Sequence, residues 1–170
     1  PTLLPMFLNN FIKKYPKVNL IIEEQTTEEI IKRLKNGHLD CAIAATPLEE
    51  ENLKEIVLYY EPFVAYIPEN HNSFDKKEIT IEDIDLDKIL LLQDGHCFRN
   101  GILNLCKNNK YIVDSHFQLE SGSFETLIKL ADEGLGTTLL PYLHTLDKNE
   151  KNKLKLRPFK DPKPAREVSL

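Results

Sequence analysis

Apolar residues recur at Leu3, Leu4, Phe7, Leu8, Phe11, Ile12 and Tyr15, three or four positions apart, and predict one helix ended by Pro16. The unbroken stretch Val18-Asn19-Leu20-Ile21-Ile22-Glu23-Glu24 reads as a strand. Thr26 followed three residues later by Glu29 is a capping box, so a second helix starts there and runs to Asn36, with Gly37 at the C-terminal glycine position. Leu39 to Ala45 reads as a short buried strand. Two extended stretches follow, about Leu53 to Tyr60 and Pro62 to Ile67, and then a polar, turn-rich region from Pro68 to Asp87. Lys88 to Gln93 predicts another strand. The loop Asp94 to Cys97 leads into a helix from about Phe98 to Asn108, and Phe117 to Glu120 predicts a strand. A helix from Ser123 to Glu133 is closed by Gly134. Thr137 to Leu140 predicts a strand ended by Pro141, and Arg166 to Leu170 a last one.

Helices alternating with apolar strands give an α/β class with a mainly parallel sheet. The β-α-β alternation occurs twice around a central extended region, which predicts two similar α/β lobes. The sequence shows no internal repeat. A final stretch that reads as the beginning of a strand suggests an excised fragment.

Composition narrows the function. The 170 residues are 41% hydrophobic and 29% charged, the profile of a soluble globular chain, and no apolar run approaches a membrane span. Pro1-Thr2-Leu3-Leu4-Pro5 has no basic leader, so no signal peptide is expected. A net charge of -5 makes these residues a poor binder of nucleic acid by themselves, since duplex affinity is dominated by cation–phosphate contacts. The Lys-rich stretch from Lys148 to Lys160 is interrupted by acidic residues and reads as a solvated face. Three cysteines, Cys41, Cys97 and Cys106, are not a secreted disulfide framework, so a reducing cytoplasm is the default. His38, His71 and His144 have no metal-site spacing. No metal and no cofactor are expected.

The chemistry concentrates at Cys97 and Cys106, nine residues apart with a helix predicted between them. Nine residues of helix separate the two Cα atoms by roughly 13 Å along the axis and put them on opposite sides. A disulfide needs Cα atoms within about 7 Å. A bond here therefore requires unwinding, which makes it a switch rather than a staple. Cys97 sits at the helix N-terminus beside His96 and Arg99, where cationic neighbours and the helix dipole favour the reactive thiolate. It is the candidate for first attack on a peroxide, giving a sulfenic acid that Cys106 resolves as a disulfide. Against this, the C-x8-C spacing is not specific by itself, and free cysteines are ordinarily small core residues. Cys41, inside an apolar strand, takes that core reading.

Gly95-His96-Cys97-Phe98-Arg99, with Cys106 nine residues after Cys97, resembles the redox segment of the peroxide-sensing members of the LysR family of transcription regulators. Leu90 to Asp94 fits the strand before it. Leu39-Asp40-Cys41-Ala42-Ile43 resembles a strand of the same proteins that carries a third, non-switching cysteine. Phe124-Glu125-Thr126-Leu127 and Gly134-Leu135-Gly136-Thr137-Thr138-Leu139-Leu140-Pro141 resemble elements general to LysR effector domains.

The resemblance implies two Rossmann-like lobes, as in periplasmic binding proteins, with the chain crossing between them twice. Lobe one is expected at residues 1–60 plus 165–170, short at both ends, and lobe two at 66–160. It implies that hydrogen peroxide oxidises Cys97, that a reversible bond to Cys106 follows, and that the intervening segment refolds. Gly95, His96 and Thr27 match positions of the peroxide pocket. A second threonine of that pocket would lie upstream of Pro1. Arg99 matches an arginine near the cysteine, and His116 a histidine close to the redox loop. Asn100 departs from the family's usual aspartate, and two extra residues precede Phe124. The implied partners are a second copy of this domain in a homodimer, a homotetramer at full length, and promoter DNA through a helix-turn-helix domain absent from this sequence. RNA polymerase and a disulfide reductant such as glutaredoxin or thioredoxin complete the set, and no membrane is involved. Two other readings stay open: a LysR effector module that binds a small metabolite, and a thiol peroxidase. The peroxidase reading lacks both C-x-x-C and the threonine-containing pattern expected before a peroxiredoxin cysteine.

Overall fold

The computed structural model describes residues 2–93, 98–99, 101–102 and 123–170. Helix α1 spans Leu3–Lys14 and α2 spans Thr27–Lys35. Strand β1 is Ala44–Thr46 and β2 is Val57–Tyr66. Two 3-10 turns, Ile81–Asp83 and Leu86–Lys88, lead into β3, Ile89–Leu90. Phe98, Arg99, Gly101 and Ile102 are helical. Helix α3 is Phe124–Asp132, β4 is Thr137–Pro141, and α4 and α5 are the short helices Tyr142–Thr145 and Glu150–Lys153. Strands β5, Leu156–Pro158, and β6, Ala165–Ser169, follow.

The punctuation in the sequence acts where it was expected. The Thr26 hydroxyl accepts from the Glu29 amide at 3.4 Å and caps α2, and Gly37 takes the left-handed conformation (φ 68°) that ends it. Gly134 (φ 78°) does the same after α3. Gly136 serves a different need: a Cβ there would lie 2.0 Å from the Lys88 carbonyl oxygen, so only glycine lets β4 begin against β3.

The sheet runs in the order β1-β6-β2-β4-β3, with β5 also paired to β2. Among the described residues only β3 and β4 run parallel; the β1/β6, β2/β6, β2/β4 and β2/β5 ladders are antiparallel. This corrects the expectation of a mainly parallel sheet. The reason lies in β2, which the pattern split in two at Pro62 but which is one strand of 10 residues. Its first half pairs with β6, through Tyr60↔Glu167, Glu61↔Arg166 and Pro62↔Ala165. Its second half pairs with β4 and β5, through Val64↔Leu140 and Val64↔Pro158. Proline lacks an amide donor, and Pro62 sits where the pairing passes from one set of partners to the other, the last bond to the β6 side being the Phe63 amide to the Pro164 carbonyl at 2.9 Å.

The core gathers on the second half of β2. Phe63, Tyr66, Leu90, Leu92, Phe98, Ile102, Leu127, Ile128, Leu139, Leu140 and Phe159 are all buried there. None of residues 2–60 is fully buried. The α1 face is exposed at Phe7, Ile12 and Tyr15. Val18 to Glu24, expected as a strand, forms none, and Ile21 is 76% exposed. The stretch expected as a buried strand from Leu39 narrows to β1, at the sheet edge. Residues 18–24 form no neighbouring strand, so among the described residues none pairs along that flank. Cys41 is accordingly exposed and outside β1, which corrects its reading as a core residue.

Candidate functional site

Of the residues predicted to form the site, Thr27 and Arg99 fall among the described ones. Gly95, His96, Cys97, Asn100, Cys106 and His116 lie outside them, as do the strand expected at 117–120 and most of the helix expected from Phe98. Thr27 is the first residue of α2 and half-buried, immediately after the Thr26 cap. Arg99 lies in the helical turn after β3, where its guanidinium donates to the Leu92 carbonyl at 3.1 Å. That bond ties the turn back to the residues that follow β3. These two residues therefore stand on separate elements, one at the start of α2 and one fastened behind β3.

The described residue next to Cys97 is Phe98, and its surroundings are dense. Phe98 is fully buried. Its ring meets Phe63 of β2 at 5.0 Å between centroids, with planes at 68°, and Phe124 of α3 at 5.1 Å, with planes at 88°. Both are edge-to-face contacts, which place the positive ring edge against the negative face. The Arg166 guanidinium of β6 lies over the same ring at 5.1 Å. One turn on, Ile102 is 1% exposed. Between them Gly101 allows close approach, since a Cβ there would come to 3.3 Å from the Phe63 ring.

Arg166 is held in turn. Its Nε and Nη2 donate to the Glu61 carboxylate at 2.9 and 2.7 Å, and the Leu143 amide donates to the other carboxylate oxygen at 3.0 Å. Glu61 is 2% exposed. Glu61 and Arg166 are cross-strand partners on β2 and β6, so this buried pair, the ring of Phe98 and the start of α4 form one connected unit. The sequence did not single out Glu61, Arg166, Phe63 or Phe124 as a group. The available signal was a carboxylate inside the otherwise aromatic run Tyr59-Tyr60-Glu61-Pro62-Phe63, which demands a buried cation.

Beyond Phe124 the unit continues to His144, whose ring lies 4.9 Å away. His144 Nε2 is 3.2 Å from the Glu125 carboxylate, which Lys148 also engages. Burial, with Lys148 beside it, holds the His144 pKa below its ordinary value despite Glu125. The hydrogen bond and charge of Lys148 hold the Glu125 carboxyl below the usual carboxylate range. At the far end of α3, the buried Tyr66 hydroxyl and the buried Lys155 ammonium converge on Asp132 at 2.7 Å each. Among the described residues no cluster of three or more histidine, cysteine or acidic side chains could hold a metal ion, and no helix is long and apolar enough to cross a membrane.

The comparisons with known proteins agree along the whole sequence. The model of the LysR substrate binding domain matches residues 1–170. A hydrogen peroxide-inducible genes activator of Pectobacterium carotovorum is 32% identical over 170 residues, all of this chain and 56% of that protein. The chain spans about half the length of the curated relatives it matches. A crystal structure of OxyR from Porphyromonas gingivalis superposes with a TM-score of 0.88 at 30% identity, covering 99% of this chain and 76% of that one. Crystal structures of a reduced and an oxidised form of OxyR superpose with TM-scores of 0.83 and 0.80 at 28% and 29% identity, covering 99% of this chain and 78% and 79% of theirs.

Proposed function

This chain belongs to the LysR substrate-binding domain family, and from that membership we propose that it is the regulatory domain of a transcription regulator that senses hydrogen peroxide through Cys97 and Cys106. The observation that carries the reading is a pair of cysteines set in Gly95-His96-Cys97-Phe98-Arg99 and nine residues apart, in a chain matched along its length by proteins named hydrogen peroxide-inducible genes activators. The chemistry is stoichiometric. The Cys97 thiolate attacks one peroxide oxygen, the O–O bond breaks, and hydroxide leaves to become water. The resulting sulfenic acid is displaced by the Cys106 thiol, forming the S–S bond and a second water. A cellular dithiol such as glutaredoxin or thioredoxin returns the two electrons.

Thr27, Gly95 and His96 are proposed to line the peroxide pocket, with Arg99 and His116 close to the thiol and Asn100 in its surroundings. The support for Thr27 is its place at the N-terminus of α2, where amide groups favour a small polar ligand. The lobes are proposed to comprise residues 1–60 plus 165–170 and residues 66–160, and the change of pairing along β2 between Pro62 and Phe63 supports a crossing between them. The whole protein is proposed to work in the cytoplasm as a homodimer or homotetramer. Promoter DNA is then met through a helix-turn-helix domain outside these residues, since a net charge of -5 suits this chain poorly to phosphate contacts, and RNA polymerase is a further proposed partner.

The test is intact mass with thiol trapping before and after one equivalent of hydrogen peroxide, with peptide mapping. A loss of two protons mapping to a Cys97–Cys106 bridge, with the exposed Cys41 still trapped, is the expected result. Cys106→Ser should stop at a sulfenic acid, and Cys97→Ser should lose the fast reaction. Three free thiols after exposure would refute the switch. The effector module reading would then stand, favoured by the family's substrate-binding description and tested by saturable metabolite binding unaffected by peroxide. Sustained peroxide turnover with thioredoxin would instead favour the peroxidase.

A further inference from the structure

We infer that Phe98 is a positioning residue of the switch: its ring, lodged between Phe63 and Phe124 and beneath Arg166, holds the dithiol arrangement and so sets how readily the Cys97–Cys106 couple is oxidised. The inference rests on the redox reading above.

Three elements distant in sequence converge on one ring. Phe63 comes from β2, Phe124 from α3 and Arg166 from β6, and each meets Phe98 at 5.0 to 5.1 Å. Phe98 is covalently next to Cys97, so whatever fixes this ring fixes the backbone on one side of the reactive sulfur. The residues that follow are pressed onto the same surface. Gly101 brings the turn against the Phe63 ring, and Ile102 is buried one turn on. The described residues of the turn are helical, and the helix that the sequence predicts from Phe98 to Asn108 would carry Cys97 and Cys106 apart, whereas a disulfide needs their Cα atoms within about 7 Å. Closing the bond therefore draws the residues after Cys97 out of the seat that Phe63, Phe124 and Arg166 provide. Contacts that hold this turn helical oppose oxidation, because closing the bond unwinds it. Weakening them shifts the equilibrium toward the disulfide, whatever the rate of the first attack on peroxide.

The exchange balances as two thiols plus oxidised glutathione giving one disulfide plus two reduced glutathiones, with two electrons and two protons passing to glutathione. The experiment equilibrates the 170-residue chain with graded ratios of reduced to oxidised glutathione, traps thiols, and reads the fraction bridged between Cys97 and Cys106. Phe98→Leu keeps an apolar side chain but loses both edge-to-face contacts and the ring beneath Arg166. Phe124→Leu, at a half-buried position, removes one of them with less risk to the fold. Each should shift the midpoint about tenfold toward the disulfide, which is about 30 mV for a two-electron couple. Both substitutions delete one shared contact, so the double variant should shift by less than the product of the two. Phe74→Leu is the control. That ring carries a cation–π contact of the same kind, with Arg157 at 5.0 Å, so it should lower stability without moving the midpoint.

Midpoints of Phe98→Leu and Phe124→Leu that match wild type, or move toward the dithiol, would overturn the inference while leaving the redox reading intact. A midpoint moved equally by Phe74→Leu would also overturn it, because the effect would then be one of general stability. A wild-type chain that forms no Cys97–Cys106 bond at any ratio overturns the redox reading, and this inference with it.

Discussion

Replacing Glu61 by alanine tests how β2, β6 and α4 are held together. The substitution removes a carboxylate that is 2% exposed and that accepts from Arg166 at 2.9 and 2.7 Å and from the Leu143 amide at 3.0 Å. Left behind are a guanidinium without its anion and a backbone N–H without its acceptor. Breaking a buried ion pair from one side costs about 3–5 kcal/mol. The Arg166 side chain keeps 22% of its exposure and its seat over Phe98, which puts the expected loss at the low end, about 3 kcal/mol. For a chain of this size that lowers Tm by roughly 6–12 °C. Glu61→Gln keeps one acceptor oxygen but sets its amide NH2 against the other donor and loses the charge, so it should cost about 2 kcal/mol, less than Glu61→Ala. The double variant Glu61→Leu with Arg166→Met removes both charges together and should recover most of the loss, since well-packed apolar side chains often replace a buried pair at little cost. Urea unfolding followed by circular dichroism measures all four proteins. A Glu61→Ala protein within about 1 kcal/mol of wild type would show that the pair is solvated in solution and would refute the reasoning.

Three further outcomes are expected. Asp132→Ala should cost about 2 kcal/mol, because the buried Lys155 ammonium is left with Glu69 at 3.8 Å and the Tyr66 hydroxyl with Asn152 at 3.2 Å; chemical denaturation checks it. Gly136→Ala should prevent folding, or cost about 3 kcal/mol or more, since the new Cβ meets the Lys88 carbonyl at 2.0 Å; soluble yield and thermal melting at wild-type level would contradict this. Burial and Lys148 depress the His144 pKa in the folded chain, so the unfolded chain takes that proton more readily, and stability is lost as pH falls from about 6.5 through the folded midpoint. His144→Gln should flatten this part of the profile. The depressed Glu125 pKa adds its loss only below about 4.5, and an NMR midpoint for His144 at or above 6.5 would refute the assignment.

Local rules made much of the fold legible in the sequence. Thr26 with Gly37 bounds α2, Gly134 closes α3 and Pro141 ends β4, each by chemistry contained within a few residues. Pairing was legible only in part. Leu53 to Tyr60 and Pro62 to Ile67 read as two extended stretches, yet β2 is one strand that changes partners between Pro62 and Phe63. Cys41 was taken as buried because its neighbours are apolar, but burial depends on which strands lie alongside, and residues 18–24 supply none. The residue next to Cys97 was readable as part of an apolar helix face, whereas Phe63, Phe124 and Arg166 meet it from positions far along the chain, a convergence that periodicity does not encode.

The pairing of β1 with β6 sets Ala44 opposite Ser169 and Thr46 opposite Glu167. During synthesis, then, β1 waits for more than a hundred residues to be added before the strand it pairs with among the described residues is made. At typical elongation rates that interval is about 6–25 s, far longer than a helix needs to form. Throughout it the backbone edge of the first half of β2, from Val57 to Pro62, likewise lacks the ladder that β6 will supply. A single strand, β6, therefore closes two ladders at once, and nascent chains paused before residue 165 carry both strand edges open, which makes them the species most in need of a chaperone.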